Sequence, residues 1–188
     1  MKNLNIFLQQ TRERSKSILS FVCIFLILLL FACKSSKNSS SASSNRSDKN
    51  KNVEVKKSES GKVKQLIKAA KSYTGTRYKY GGTSRAGIDC SGLTSLSFKE
   101  IGVSLPRTAN EQSTLGKKIP LDELKEGDLV FFTDKKGHNK ITHVGIVTDV
   151  RSKTEVRFIH ASTKLGVVEA DLFADYYKPL ILKAVRIL

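Results

Sequence analysis

Gly87-Ile88-Asp89-Cys90-Ser91-Gly92-Leu93 reads as the start of a helix. Asp89 is a suitable cap, because a short acceptor side chain can reach the free N–H groups of the first turn. Cys90, Leu93, Leu96 and Ile101 then share one face, Gly102 ends the helix and Pro106 forbids its continuation. Upstream, Val63, Leu66, Ile67, Ala70 and Tyr73 keep the three-four spacing of another amphipathic helix, which Gly75 breaks. The glycines of Gly75-Thr76-Arg77-Tyr78-Lys79-Tyr80-Gly81-Gly82 suit a tightly turned loop between the two. Downstream, Thr108 to Leu115 suits a short third helix. From Gly127 the texture changes to short β-rich runs: Asp128–Thr133, His143–Val150, Glu155–His160, Val167–Glu169 and Leu180–Ile187. Helices first and strands afterwards predict an α+β domain, its N-terminal helices packed on an antiparallel sheet.

The chain has 188 residues and a formal charge of +16. That length suits one domain with extensions. At 39% hydrophobic it can bury a core, whereas 27% charged residues and the lack of Trp leave little for a membrane-embedded body. Lys2, Arg12, Arg14 and Lys16 precede the apolar run Ile18 to Ala32, which is shorter than the roughly 20 residues of a membrane span. Positive then apolar is the order of a secretory signal, with an uncleaved signal anchor as the other reading. Lys34 to Ser60 is Ser- and Lys-rich and nearly devoid of apolar residues, and reads as a disordered tether. The domains expected are therefore 1–32 signal, 33–60 tether and 61–188 the folded part. The basic excess suits a solvated face or attraction to an anionic wall or lipid surface. Secretion argues against nucleic acid.

Cys23, Cys33 and Cys90 are too few and too scattered for a disulfide framework. Cys23 lies inside the signal. Cys90 follows the cap at the positive end of a helix, where a thiolate is stabilised and the thiol pKa is expected to fall. His143 opens one strand and His160 closes the next. If Val150 pairs with Glu155, Gly145 faces His160 and both histidines project from one face of the sheet; a register shifted by one residue would separate them. His138, in the polar loop 134–140, reads as a satisfied histidine, buried or exposed, outside the chemistry. A thiol, an imidazole and a second polar ring form a nucleophile, base and orienter set. Zinc is the rival ligand for one cysteine and two histidines, but no short ligand pair is present to nucleate a site, so no metal or cofactor is expected.

The segments 75–82 and 87–93, Leu105-Pro106-Arg107, Gly127-Asp128-Leu129-Val130-Phe131-Phe132, His143-Val144-Gly145-Ile146 and His160-Ala161-Ser162 occur in an order that resembles the NlpC-type, papain-like cell-wall cysteine peptidases. The lipoprotein murein endopeptidases are the most similar branch. The resemblance implies Cys90 as nucleophile, His143 as general base and His160 as orienting residue, with Tyr78 at the active site and Asp89 and Ser91 as candidate contacts to the stem peptide. Arg107 is expected to hold its loop. Leu30-Phe31-Ala32-Cys33 resembles a lipobox, which implies a lipidated Cys33 on an exported protein, with Lys34 favouring the periplasmic side of the outer membrane; the protein is expected to be a monomer. Peptidoglycan peptides are the implied substrate. The favoured bond is the cross-link between D-Ala and a diamino acid, because no gating domain is read before Gly61. The bond after D-Glu within one stem is the alternative. Related amidases and acyltransferases, and a non-catalytic wall-binding lipoprotein, remain other outcomes of the same fold.

Overall fold

The computed structural model describes residues 47–188, with side chains from 58 onward. The signal, the lipobox and Cys33 lie outside the described residues. Helix α1 spans Ser47–Lys71. It is pinned by Leu66 and Ala70, which are fully buried, while Val63, Ile67 and Tyr73 are half-buried beside them. Lys68 and Lys71 occupy its last turn, where cations complement the helix dipole. The helix begins well before Val63, so the stretch read as tether is helical from Ser47 onward. A packed C-terminal half removes the cost of nucleation, after which helix formers such as Glu54, Lys56, Lys57 and Glu59 extend the helix without needing an apolar face.

Two short strands, β1 (Thr83–Ser84) and β2 (Gly87–Ile88), form a small hairpin before α2 (Cys90–Lys99). A one-turn α3 (Ala109–Gln112) follows, shorter than expected and held by a capping box between Thr108 and Glu111. Strands β3 (Lys117–Ile119), β4 (Leu129–Phe132), β5 (His143–Val150), β6 (Val156–Ser162), β7 (Gly166–Asp171) and β8 (Ile181–Arg186) make a six-stranded sheet. Its order is β3-β8-β4-β5-β6-β7, with every neighbouring pair antiparallel. The α+β expectation holds.

Both faces of the sheet are covered. Leu129, Phe131, Val144, Ile146, Ile159 and Ala161 pack with Leu66, Leu93 and Phe98 of the helices. Val130, Phe132, Val147 and Phe158 pack with Ile119, Leu124 and Leu172 in a second cluster. Burial on both sides explains why Leu129 to Phe132 is an unbroken apolar run rather than an alternating one.

The β5–β6 hairpin departs from the expected register in an instructive way. Val150 pairs with Val156, not Glu155, and Asp149 with Arg157. That register, if continued, would send the two histidines to opposite faces. Between Val147 and Asp149 the register shifts by one residue, after which Val147 pairs with Phe158 and Ile146 with Ile159. The β-bulge at Thr148 thus restores the predicted parity, and the histidines share the Phe132 and Phe158 face. Gly145 is required beside them: a Cβ there would lie 2.6 Å from the Phe158 ring and 2.9 Å from the Ile159 carbonyl.

Candidate active site

The start of α2 is built around one carboxylate. Asp89 Oδ1 accepts from the Gly92 amide at 2.7 Å and from Arg107 at 3.0 Å, while Oδ2 accepts from the Gly81 amide at 2.9 Å and from the second Arg107 nitrogen at 2.6 Å. Arg107 also donates to Ser91 Oγ at 2.9 Å. The expected capping role is therefore present, and Arg107 extends it: one side chain ties the loop after α2 to the helix start and to the 81–82 turn. Burial pushes the Asp89 carboxyl up, but Arg107 and the Gly92 and Gly81 amides outweigh it and hold the group below its ordinary range. Gly92 cannot carry a side chain, since a Cβ would meet the Gly82 carbonyl at 2.3 Å. Gln112, fully buried, locks the same region from below by donating to the Ser91 carbonyl at 3.1 Å and accepting from Thr94 at 2.7 Å.

Cys90 is thus the first residue of a rigidly held helix, and it is buried. The expected lowering of its pKa is not what the structure shows. Burial pushes the thiol up and Asp89 adds to this, while the backbone of Val144, Ser91 and Cys90 itself opposes them and does not prevail. The helix start alone is outweighed by desolvation. The contact with the Val144 backbone also brings the sulfur next to the beginning of β5, one residue from His143.

Nε2 of His143 and Nδ1 of His160 are 2.7 Å apart, with the rings perpendicular. His160 is 2% exposed and stacks on Phe158 with ring centroids 4.8 Å apart. Its other nitrogen, Nε2, lies 3.0 Å from the Tyr177 hydroxyl. Burial pushes His143 down to about 4, and burial with the neighbouring His143 takes His160 to about 3. Both rings are accordingly neutral at pH 7. The Tyr78 hydroxyl is held protonated by burial and by Cys90 and Asp89 nearby, against a smaller opposing effect of Arg107. The Tyr78 backbone is fixed by a bridge to Ile88, two residues before Cys90.

Two cavities meet here. One of about 510 Å³ exposes Cys90 along with Tyr80, Ser91, Arg107 and Asn110. The other, about 280 Å³, exposes His143, His160 and Tyr177. Tyr78 and Thr142 line both, so the thiol and the imidazole pair open on either side of a shared saddle. The structure therefore places Cys90, Asp89, Ser91 and Tyr78 on one cavity and His143 and His160, again with Tyr78, on the adjoining one. His138 is apart from them, half-exposed and paired with Asp134 at 3.0 Å on the β4–β5 loop. Tyr177 was not legible beforehand: it sits in an irregular loop whose sequence, Asp175-Tyr176-Tyr177-Lys178-Pro179, carries no periodicity linking it to β6.

The two neutral histidines have a consequence for acid stability. In the unfolded chain a histidine takes its proton near pH 6.5, in the native site only near 4 and 3. Between those values the unfolded state binds more protons, so native stability falls as pH is lowered from about 6.5 towards 4. Thermal melts at pH 7.5 and 4.5 should show a clear drop, and His160→Gln should flatten it. Identical pH dependence in both proteins would mean that His160 is already charged when folded.

A model of the NlpC/P60 family matches residues 75–186, more than half of the chain. The chain belongs to the NlpC/P60 family. This NlpC/P60 domain is 41% identical over 117 residues to the probable endopeptidase NlpC of Escherichia coli K12, covering 62% of the chain and 72% of that protein. It is 37% identical over 117 residues to the murein DD-endopeptidase MepS/murein LD-carboxypeptidase of the same organism, covering 62% of the chain and 58% of that protein. Among solved structures, an NlpC/P60 family protein from Bacillus cereus superposes with a TM-score of 0.61 at 30% identity, over 67% of the chain and 40% of that protein. The α+β architecture of this NlpC/P60 domain is thus a family property. The family is one of cysteine peptidases, and the two curated relatives are named as endopeptidases.

Proposed function

We propose that this NlpC/P60 chain is a peptidoglycan endopeptidase in which Cys90 is the nucleophile, His143 the general base and acid, and His160 the residue that orients His143. The observation that carries the reading is the hydrogen-bonded His143–His160 pair at the start of β5, against whose backbone the Cys90 sulfur rests. With Nε2 of His143 engaged, Nδ1 is the nitrogen left to serve the thiol. Because thiol and imidazole are both neutral at rest, the proton passes from Sγ to Nδ1 as the sulfur attacks the peptide carbonyl. The Cys90 backbone N–H, at the helix start, and the Tyr78 hydroxyl stabilise the oxyanion. Nδ1 returns its proton to the departing amine, leaving a thioester. Water, deprotonated by the same nitrogen, then releases the acid and restores the thiol.

The 510 Å³ groove suits an extended peptide, and the Arg107 guanidinium, 42% exposed beside Ser91, offers it a cation. Asp89 and Ser91 contribute to that wall mainly by holding Arg107. Lipidated Cys33 would keep the domain at the membrane within reach of the wall. The name of the MepS relative favours the cross-link between D-Ala and the diamino acid of the next stem. Digestion of purified cross-linked muropeptide dimers should yield intact tetrapeptide monomers by mass. A dipeptide remnant on the sugar would instead identify the bond after D-Glu, and activity on phospholipid alone would replace the peptidase reading with an acyl-transfer one.

A further inference from the structure

We infer that Tyr177 is a positioning residue for the thiol's proton acceptor: its hydroxyl accepts from His160 Nε2 and thereby fixes the direction of the whole hydrogen-bond chain. The inference rests on the proposed Cys90–His143 chemistry and extends it by one member.

The argument is a proton count. His160 is 2% exposed, and both of its ring nitrogens are engaged, one by His143 at 2.7 Å and one by Tyr177 at 3.0 Å. A neutral imidazole has one N–H and one lone pair, so the chain can run in either of two directions. If His160 donates to Tyr177 from Nε2, its Nδ1 accepts from His143 Nε2–H, and His143 Nδ1 carries a lone pair towards the thiol. If the direction is reversed, His143 Nδ1 carries a hydrogen and cannot take one. Only the first direction gives a base. It requires an acceptor at His160 Nε2, and the Tyr177 oxygen is the group hydrogen-bonded there. Tyr177 is half-buried, so its own hydroxyl proton can be satisfied by solvent while its oxygen accepts.

The tyrosine is also held where this role needs it. Its ring stands edge-on to Phe158 at 5.0 Å, to His160 at 5.3 Å and to Phe132 at 6.0 Å, and Tyr176 packs edge-on against it at 4.9 Å. These contacts come from β4, β6 and its own loop, so the phenol cannot swing away without opening the second aromatic cluster. The titratable groups facing His160 in the 280 Å³ cavity are His143 from β5, Tyr78 and Asp134 across it, and Tyr176 and Tyr177 from the loop after β7. Of these, only His143 and Tyr177 are hydrogen-bonded to it. An acceptor at Nε2 further raises the electron density at Nδ1, which strengthens its bond to His143 when His143 becomes cationic. Removing the hydroxyl should therefore weaken proton transfer from Cys90 without altering the thiol itself.

Tyr177→Phe preserves the ring and its packing and deletes only the oxygen. Reactivity of Cys90 is read with iodoacetamide on the purified full-length chain, following the mass of the peptide that carries Cys90, from pH 5 to pH 10. The expected result is alkylation about tenfold slower at pH 7, the scale of one lost buried hydrogen bond. The gap should close as the pH rises through the thiol's own range, where the base is no longer needed. In a His160→Ala background the same substitution should change nothing. On peptide substrate kcat should fall with KM unchanged. Equal alkylation at pH 7, a deficit constant across pH, or a full further deficit in the His160→Ala background would each overturn the inference. Because alkylation needs no substrate, its outcome is independent of whether peptidoglycan is the substrate.

Discussion

Cys90→Ser should leave a protein that melts at the wild-type temperature and releases no muropeptide above background, a loss of at least about 10³-fold. The folding half of this expectation follows from volume: a hydroxyl replaces a thiol of similar size at a buried position that makes no side-chain hydrogen bond on which the fold depends. The Asp89 cap, the Gly92 approach to the Gly82 backbone and the Gln112 locks on α2 are all untouched. The activity half follows from acidity. The thiol is already pushed up by burial, so His143 takes its proton only as attack proceeds. A hydroxyl starts several units less acidic still, beyond what a histidine at about 4 can accept. Residual turnover near the wild-type rate would remove Cys90 from the mechanism. A collapsed melting temperature would assign the residue to packing.

His143→Ala ranks second, with an expected loss in kcat/KM of about 10³-fold, against about 10- to 100-fold for His160→Ala. The asymmetry is geometric. In the proposed mechanism His143 takes the thiol's proton, whereas His160 acts only through its hydrogen bond to His143 Nε2. The two losses should not add in the double variant, because without His143 there is no ring left for His160 to orient. Steady-state kinetics on a single muropeptide dimer, with each variant's melt recorded alongside, decides the order. A larger effect from His160 would reverse the assignment of base and orienter.

The start of α2 was legible because its signals are local: Asp89 as cap, Gly102 as stop and an apolar face between them need no knowledge of the rest of the chain. The strands β5 and β6 were legible for the same reason, since their β-branched residues and the polar turn between them lie within a few residues of each other. Strand β3 was not. Lys117-Lys118-Ile119 has one apolar residue, and what makes it a strand is pairing with β8 across nearly the whole remaining sequence. The bulge at Thr148 was invisible because register is settled by what the two faces bury, not by the residue that shifts. The direction of the Cys90 shift was misread because desolvation depends on every neighbour, while the helix start is written in two residues. Tyr177 is the extreme case: its partner lies on another element, and only the closed structure brings a loop phenol to a buried imidazole.

The saddle of Tyr78 and Thr142 divides the site into two compartments that a small molecule can address separately. A compound that enters the 510 Å³ side meets a thiol and competes with substrate, which favours covalent warheads and their familiar lack of selectivity. The 280 Å³ side holds no thiol. Its walls are aromatic and imidazole rings with Asp134 and Ser162 at the margin, a chemistry suited to a compact heteroaromatic fragment. Such a fragment would slow the enzyme by competing with the Tyr177 hydroxyl for His160 while leaving Cys90 intact and recoverable by dilution. Two independent routes of inhibition, one permanent and one reversible, are therefore built into the division of a single active site.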